Sequence, residues 1–272
     1  MQIYLDGIGI LGPGLADWTS SQRILKGDQV WVESKMTPPT PNILSANEQR
    51  RGSETVKLAL HVAQEAIDHS QMKPQEVGTV FASSDGDGTI LHQLCTAVAA
   101  PVPQVSPTLF HHSVHNAPAG YWSIAHSVQL PSTSVSCHDG TFSAGLVETA
   151  LQTIVETRST LLVVYDTPSP PPLSQARPIL AAFGIALVIR QEQSEQSIAR
   201  LDISLYFDRL KKITTLEDCQ LEKYRREIPT ARGLPLLAAI ARQETTTVVL
   251  EYLDNCHLTI DVTSCPSYQK MI

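Results

Sequence analysis

Long apolar runs are missing from this sequence. No stretch approaches the ~18 uninterrupted apolar residues that a membrane-spanning helix needs. The opening MQIYLDGIGILGPG has no basic region before its apolar residues, so it does not read as a secretory signal. Paired cysteines are missing too. The five, Cys95, Cys137, Cys219, Cys256 and Cys265, are odd in number and scattered, with no CxxC. That pattern argues against a disulfide framework or a thiolate zinc site and suits reduced thiols. Together these absences predict a cytoplasmic protein with no membrane insertion. Positive charge is scarce: 20 Lys and Arg stand against 27 Asp and Glu, a net charge of −7. A nucleic-acid binder should carry a basic face, so no nucleic-acid partner is expected. A local basic patch for an acidic partner is compatible with that net charge.

What is present suffices for a core. Of the 272 residues, 42% are hydrophobic and 17% charged, which fits one large folded domain. Residues 2–10 read as a buried strand entering a glycine turn at Gly7 and Gly9. Residues 15–50 are polar and proline-containing, which predicts loops with short helical pieces. Residues 53–69 repeat Val56, Leu60, Ala63 and Ile67 at helical spacing, with Ser53 placed to cap. Residues 77–82 form a β-rich run, 83–88 a turn, and 89–99 and 117–128 two further helices. Residues 132–136 read as a strand, 137–140 as a turn, 141–157 as a helix and 161–165 as an apolar strand. That order is a βαβ unit, which demands parallel pairing. Residues 167–178 hold five prolines and form a loop. Strands follow at 185–189 and 200–207, a helix at 232–242, and a hairpin from 245–252 and 257–262. The fold class is α/β, with a mixed, mostly parallel sheet covered by helices.

Some clusters hint at chemistry. Cys137 beside His138 resembles a nucleophile with its base. Neighbours on a strand point to opposite faces, however, so a small buried thiol is the expected state of Cys137. His111-His112-x-x-His115 resembles a metal cluster but has no acidic fourth ligand at a defined spacing. Asp85-Gly86-Asp87-Gly88 hints at a calcium loop, yet Thr96 stands where the bidentate Glu should be. No metal or cofactor is expected.

Several segments, in order, resemble the β-ketoacyl synthase family, which has the thiolase fold. Tyr4-Leu5-Asp6-Gly7-Ile8-Gly9 is similar to the family's first strand. Residues 58–67 and 77–84 are similar to its next helix and strand. Asn116-Ala117-Pro118-Ala119-Gly120 resembles its Asn-x-x-Ala-Gly segment. Leu130-Pro131-Ser132-Thr133-Ser134-Val135-Ser136 resembles the run into the nucleophile turn. From Asn116 the family reaches its cysteine, without a gap, at position 139. The resemblance covers roughly residues 1–190. It implies a single N-terminal, thiolase-like half over 1–272, with 191–272 supplying a strand, helix and hairpin that complete it.

Position 139 is Asp139. A ketosynthase needs a thiolate there to take an acyl chain as a thioester, and a carboxylate would give a reactive anhydride instead. The family's two downstream histidines also have no counterpart, since only His257 follows. The resemblance therefore implies a non-catalytic partner subunit, a chain-length factor, that pairs with an active ketosynthase and meets the acyl carrier protein through it. The half-size format resembles subunits of bacterial aryl polyene biosynthesis. Thr108, Leu109, Phe110, Ser113 and Asn116 fall where the family shapes the partner's acyl tunnel. Asp139 itself is expected to cap the 141–157 helix. The alternatives are a stand-alone acyl transferase or malonyl decarboxylase using Cys137 or Asp139, a carrier-binding module, and a homodimeric structural protein.

Overall fold

Residues 161–165 and 183–189 carry apolar side chains or glycine at every position, and they dictate the layers. A strand buried on both faces needs helices above and below it. The computed structural model, which describes residues 1–36, 38–39, 42–207 and 211–265, has that arrangement. The elements run β1 (Gln2–Leu11), α1 (Trp18–Lys26), α2 (Ala46–Arg51), α3 (Glu54–Ser70), β2 (Gly78–Ala82), α4 (Gly88–Ala99), α5 (Pro107–His112), α6 (Ala117–His126) and β3 (Ser132–Val135). They continue with α7 (Thr141–Val155), β4 (Thr160–Asp166), α8 (Leu173–Ala176), β5 (Phe183–Arg190), β6 (Ala199–Tyr206), α9 (Cys219–Glu227), α10 (Leu234–Arg242), β7 (Thr246–Leu253) and β8 (Cys256–Ser264).

The strands form one eight-stranded sheet in the order β3-β2-β4-β5-β1-β6-β8-β7. It is mixed, as expected, but antiparallel pairing predominates, which corrects the expectation of a mostly parallel sheet. Among the described residues only β2–β3 and β2–β4 are parallel; the other five pairings are antiparallel. The reason lies in the connections. Parallel neighbours need a helical crossover, and helices intervene between β2 and β3 (α4 to α6) and between β3 and β4 (α7). β7 and β8 are joined by a tight turn, and β4 reaches β5 through the proline loop.

The side chains of β4 alternate between two cores. Leu162 and Val164 join the cluster that contains Leu146 of α7 and Leu237 of α10. Leu161, Val163 and Tyr165 join the cluster that contains Leu60 of α3 and Trp122 of α6. Each large aliphatic side chain buried this way contributes roughly 1.5–3 kcal/mol. Gly7 and Gly9 do not make the expected turn. They lie inside β1, and a Cβ at Gly9 would stand 2.1 Å from the Val62 carbonyl oxygen. Glycine is there because the backbone of α3 lies directly against the strand. Ser53 caps α3 as expected, accepting from the Val56 N–H. Among the described residues no helix is long and apolar enough to cross a membrane.

Glu65 of α3 ties α1 to β1 by accepting from the backbone N–H groups of Trp18 and Ile10. Burial pushes its carboxyl up from 4.5 to about 7, against the pull of those two donors and with a further push from Asp17 and Asp68. A raised acid contributes stability that is complete below its unfolded value and is lost as pH rises through the folded one. Wild type should therefore lose Tm relative to Glu65→Gln as pH rises from 4.5 through about 7. Thermal unfolding of both proteins across that range checks the difference.

Candidate functional site

In α/β sheets, ligands gather at the carboxyl ends of parallel strands. Here those ends belong to β2, β3 and β4, and one side chain ties together the loops that follow them. Arg177, in the loop after β4, lies 3.4 Å from Asp85 after β2 and 2.6 Å from Asp139 after β3. Buried Asp166, the last residue of β4, draws in neighbouring backbone. It accepts from Ser84 N and Oγ at 2.9 and 2.7 Å and from Thr230 N and Oγ1 at 3.0 and 2.7 Å. Burial still raises its pKa, with those hydrogen bonds pulling against it.

The turn between β3 and α7 is tightly specified. His138 takes a left-handed φ of 48°. A Cβ at Gly140 would meet the Tyr252 carbonyl oxygen at 2.2 Å, so the hairpin leaves room only for glycine. Thr141 Oγ1 accepts from Cys137 N at 3.0 Å and donates to the His138 carbonyl at 2.7 Å.

Asp139 does not cap α7, contrary to expectation. Gly140 is the cap residue, and no side chain bonds the helix N-terminus there. Residues 138–140 form a 3₁₀ turn, which shifts Asp139 off the capping position. Its carboxylate instead receives Arg177 Nη1 on one oxygen at 2.6 Å and Arg232 Nη2 on the other at 3.0 Å. Charge-assisted bonds of this kind are about twice as strong as neutral ones. Partial burial pushes the Asp139 carboxyl up, but the Arg177 hydrogen bond and the Arg232, Arg177 and His138 charges together hold it below its usual range. The ion pairs continue. Arg232 Nη1 lies 3.6 Å from Glu251, Arg225 Nη1 lies 2.8 Å from Glu251, and Arg225 pairs with Glu222 at 2.8 Å. The row Asp85–Arg177–Asp139–Arg232–Glu251–Arg225–Glu222 alternates in sign and joins the strand-end loops to residues 222–251.

Cys137 is half-exposed, not buried, because it belongs to the turn and not to the strand. His138 faces Asp139, with Nδ1 3.4 Å from the carboxylate. A cleft of about 900 Å³ brings Cys137, Asp139, Arg232 and Tyr252 together with His257, the histidine that follows in sequence. The three clustered histidines diverge. His112 bonds Tyr121, His115 meets the Ser83 carbonyl, and His111 is exposed. Among the described residues no group of His, Cys, Asp and Glu is arranged to hold a metal. Asp87 caps α4 by accepting from Ile90 N at 3.0 Å. Thr108 and Asn116 line a second groove, of about 550 Å³, beside α5 and α6. Leu109 and Ser113 are half-buried outside its lining, and Phe110 is 65% exposed.

Arg177 and Arg232, the partners of Asp139, are not foreshadowed in the sequence. Arg177 occupies an irregular segment, and Arg232 lies in a short 3₁₀ turn at the start of the expected 232–242 helix, so neither has a periodicity that marks it as inward-facing. Helix α9 is also unforeseen, although Asp218 signals its start by capping Gln220 and Leu221.

The architecture and the turn can now be set beside known proteins. Residues 18–252 match the family described as beta-ketoacyl synthase, N-terminal domain. The chain belongs to that family. No curated protein matches it. Among solved structures, it is similar to a chain of the ketosynthase (ApeO) in complex with its chain length factor (ApeC) from Xenorhabdus doucetiae. That match has a TM-score of 0.72 and 22% identity, over 96% of this chain and 99% of that one. The ishigamide ketosynthase/chain length factor gives 0.69 at 13% identity, over 97% and 99%. A type II polyketide synthase acyl-carrier protein in complex with its ketosynthase gives 0.69 at 12%, over 96% and 99%. At these identities the likeness establishes the fold: this ketosynthase-family chain has the thiolase-like half architecture.

Asp139 is 41% exposed, so solvent screening reduces what its two ion pairs contribute. Asp139→Asn should nevertheless lower stability by about 1 kcal/mol, because one amide oxygen cannot serve two guanidiniums. A lowered acid stabilises above its unfolded value and loses that contribution as pH falls through the folded one. The difference between the Asp139→Asn variant and wild type should thus shrink towards zero as pH drops below 3.8. Urea unfolding at neutral pH and on the acid limb measures it.

Proposed function

We propose that this chain is a non-catalytic ketosynthase partner, a chain-length factor. It forms a heterodimer with an active β-ketoacyl synthase and meets the acyl carrier protein through that complex, in type II elongation of an aryl polyene-like acyl chain in the cytoplasm. The observation that carries this is the state of Asp139. Both its oxygens are engaged by arginines, and a carboxylate so held is neither an acyl acceptor nor available to a substrate. The solved complexes of similar fold pair a ketosynthase with a chain length factor, which supports the same pairing here.

The surface supports a partner as well. β3 is an edge strand, and an unpaired edge invites a second chain. Ile124 of α6 and Val155 of α7, the helices that pack beside β3, are 64% and 77% exposed. Helix α4 is apolar in composition, yet only Gly88 within it is buried. Large apolar side chains exposed on the helices beside an open edge are suited to an interaction site. Thr108, Leu109, Phe110, Ser113 and Asn116 are the proposed tunnel and interface residues, with no cofactor required. We also take residues 1–272 as one domain in which 191–272 complete the 1–190 half; the continuous sheet across the described residues supports this.

Co-expression with candidate ketosynthases should give a stable heterodimer. Val155→Arg should reduce its yield roughly tenfold or more while leaving the chain folded, because an unpaired charge buried at an interface is costly. A monomer indifferent to every ketosynthase would sink the proposal. Within the complex, Thr108→Trp should shorten the products, read by mass spectrometry, since bulk at a tunnel end excludes further units.

One observation favours a second reading. Cys137 and His257 share the 900 Å³ cleft, which keeps open an acyl transferase acting through Cys137. Malonyl-carrier decarboxylation or acyl transfer by the isolated chain, abolished by Cys137→Ser, would establish it.

A further inference from the structure

Arg177 and Arg232 hold the Asp139 carboxylate as a receptor holds a ligand. Arg177 Nη1 lies 2.6 Å from one oxygen and Arg232 Nη2 lies 3.0 Å from the other. Two guanidiniums on two oxygens match the planar shape of a carboxylate as well as its charge. Burial pushes the Asp139 carboxyl up, yet the Arg177 bond and the surrounding cations hold it below its ordinary range. The position favours an anion over an acid.

The surroundings place the cations and the turn with help from other groups. Arg177 Nε also lies 3.4 Å from Asp85, and Arg232 Nη1 lies 3.6 Å from Glu251. The two arginine side chains are 24% and 16% exposed. The turn has fastenings of its own. Thr141 Oγ1 bonds Cys137 N and the His138 carbonyl, and Gly140 lies against the Tyr252 carbonyl. Donors fixed in this way are pre-organised for an acceptor, which lowers the cost of binding one. The carboxylate position is also reachable from solvent. Asp139 is 41% exposed. It lines both the 900 Å³ cleft and a cavity of about 280 Å³ shared with Arg177 and Arg226.

We propose that Arg177 and Arg232 form a binding site for a small monocarboxylate, with Asp139 as its tethered occupant, and that a free carboxylate takes the place once the tethered one is removed. The inference goes beyond the partner reading and does not rest on it, because the isolated chain suffices to show it. It assigns the fastening of the strand-end loops to a ligand that can be exchanged, and not to the covalent continuity of the turn. In the wild-type chain Asp139 keeps other carboxylates off this face, since a tethered group acts at an effective concentration above that of a free one.

Asp139→Ala removes the carboxylate and leaves both arginines. Urea unfolding of this isolated variant would be followed in sodium formate and in sodium chloride at equal ionic strength. Formamide serves as the uncharged molecule of similar shape. Formate should raise the folded-to-unfolded ratio saturably beyond any effect of chloride, by about tenfold when it stands at about ten times its dissociation constant. Formamide should give no such rise. Wild type, whose site is filled, should respond to formate no more than to chloride. Asp139→Ala combined with Arg232→Gln should lose the response. A formate effect on Asp139→Ala no larger than that of chloride would overturn the proposal, and so would one that survives the loss of Arg232. Where Asp139→Ala does not fold in chloride, refolding in formate takes the place of the titration. Recovery of the native circular dichroism then supports the site, and continued failure to fold overturns it.

Discussion

A carboxylate held between two guanidiniums organises the strand-end face of this sheet. Asp139 follows β3, Arg177 follows β4 and also reaches Asp85 after β2, and Arg232 precedes α10. A lone guanidinium in such a partly buried position would be costly, and removing one member of a buried pair leaves its partner uncompensated. The alternation of signs from Asp85 to Glu222 gives every cation an anion on each side. The turn after β3 is an anchor point for both arginines. Both arginines depend on the acid at 139.

That anchoring joins the two parts of the chain. β6, β8 and β7 extend the sheet beyond β1, and the ion-pair row fastens Glu222, Arg225 and Glu251 to the strand-end loops. Asp166 adds a second tie by joining Ser84 to Thr230. The consequence is a strand-end face tied together across its loops, with exposed apolar side chains on α4 and α6.

The extent of sequence legibility differs by element for physical reasons. The βαβ unit is readable because β3, α7 and β4 carry their own periodicity, and Ser53 marks the start of α3 by a local capping bond. The direction of most strands is not readable, since it depends on which neighbours pair and not on any strand's composition; hence the sheet is mostly antiparallel against expectation. Gly7 and Gly9 resemble turn residues, but what they answer to is the backbone of α3, far along the chain. Cys137 reads as a small buried thiol, but at the turn expected over 137–140 it is half-exposed.

That position 139 holds a carboxylate is plain from the chain's letters, and a carboxylate cannot hold an acyl group as a thioester. Side-chain chemistry alone settles that. What the carboxylate does instead depends on the assembled fold. A helix cap needs nothing beyond neighbouring residues, and local reasoning therefore favours it. Arg177 and Arg232 are 38 and 93 residues distant, and they reach Asp139 because strands distant in sequence end side by side. Two bonds to guanidinium cations, charged on both sides, take the place of a local bond to a backbone N–H. The same holds for His112 and Tyr121: their residue types are plain in the sequence, while their hydrogen bond forms only once α5 and α6 meet.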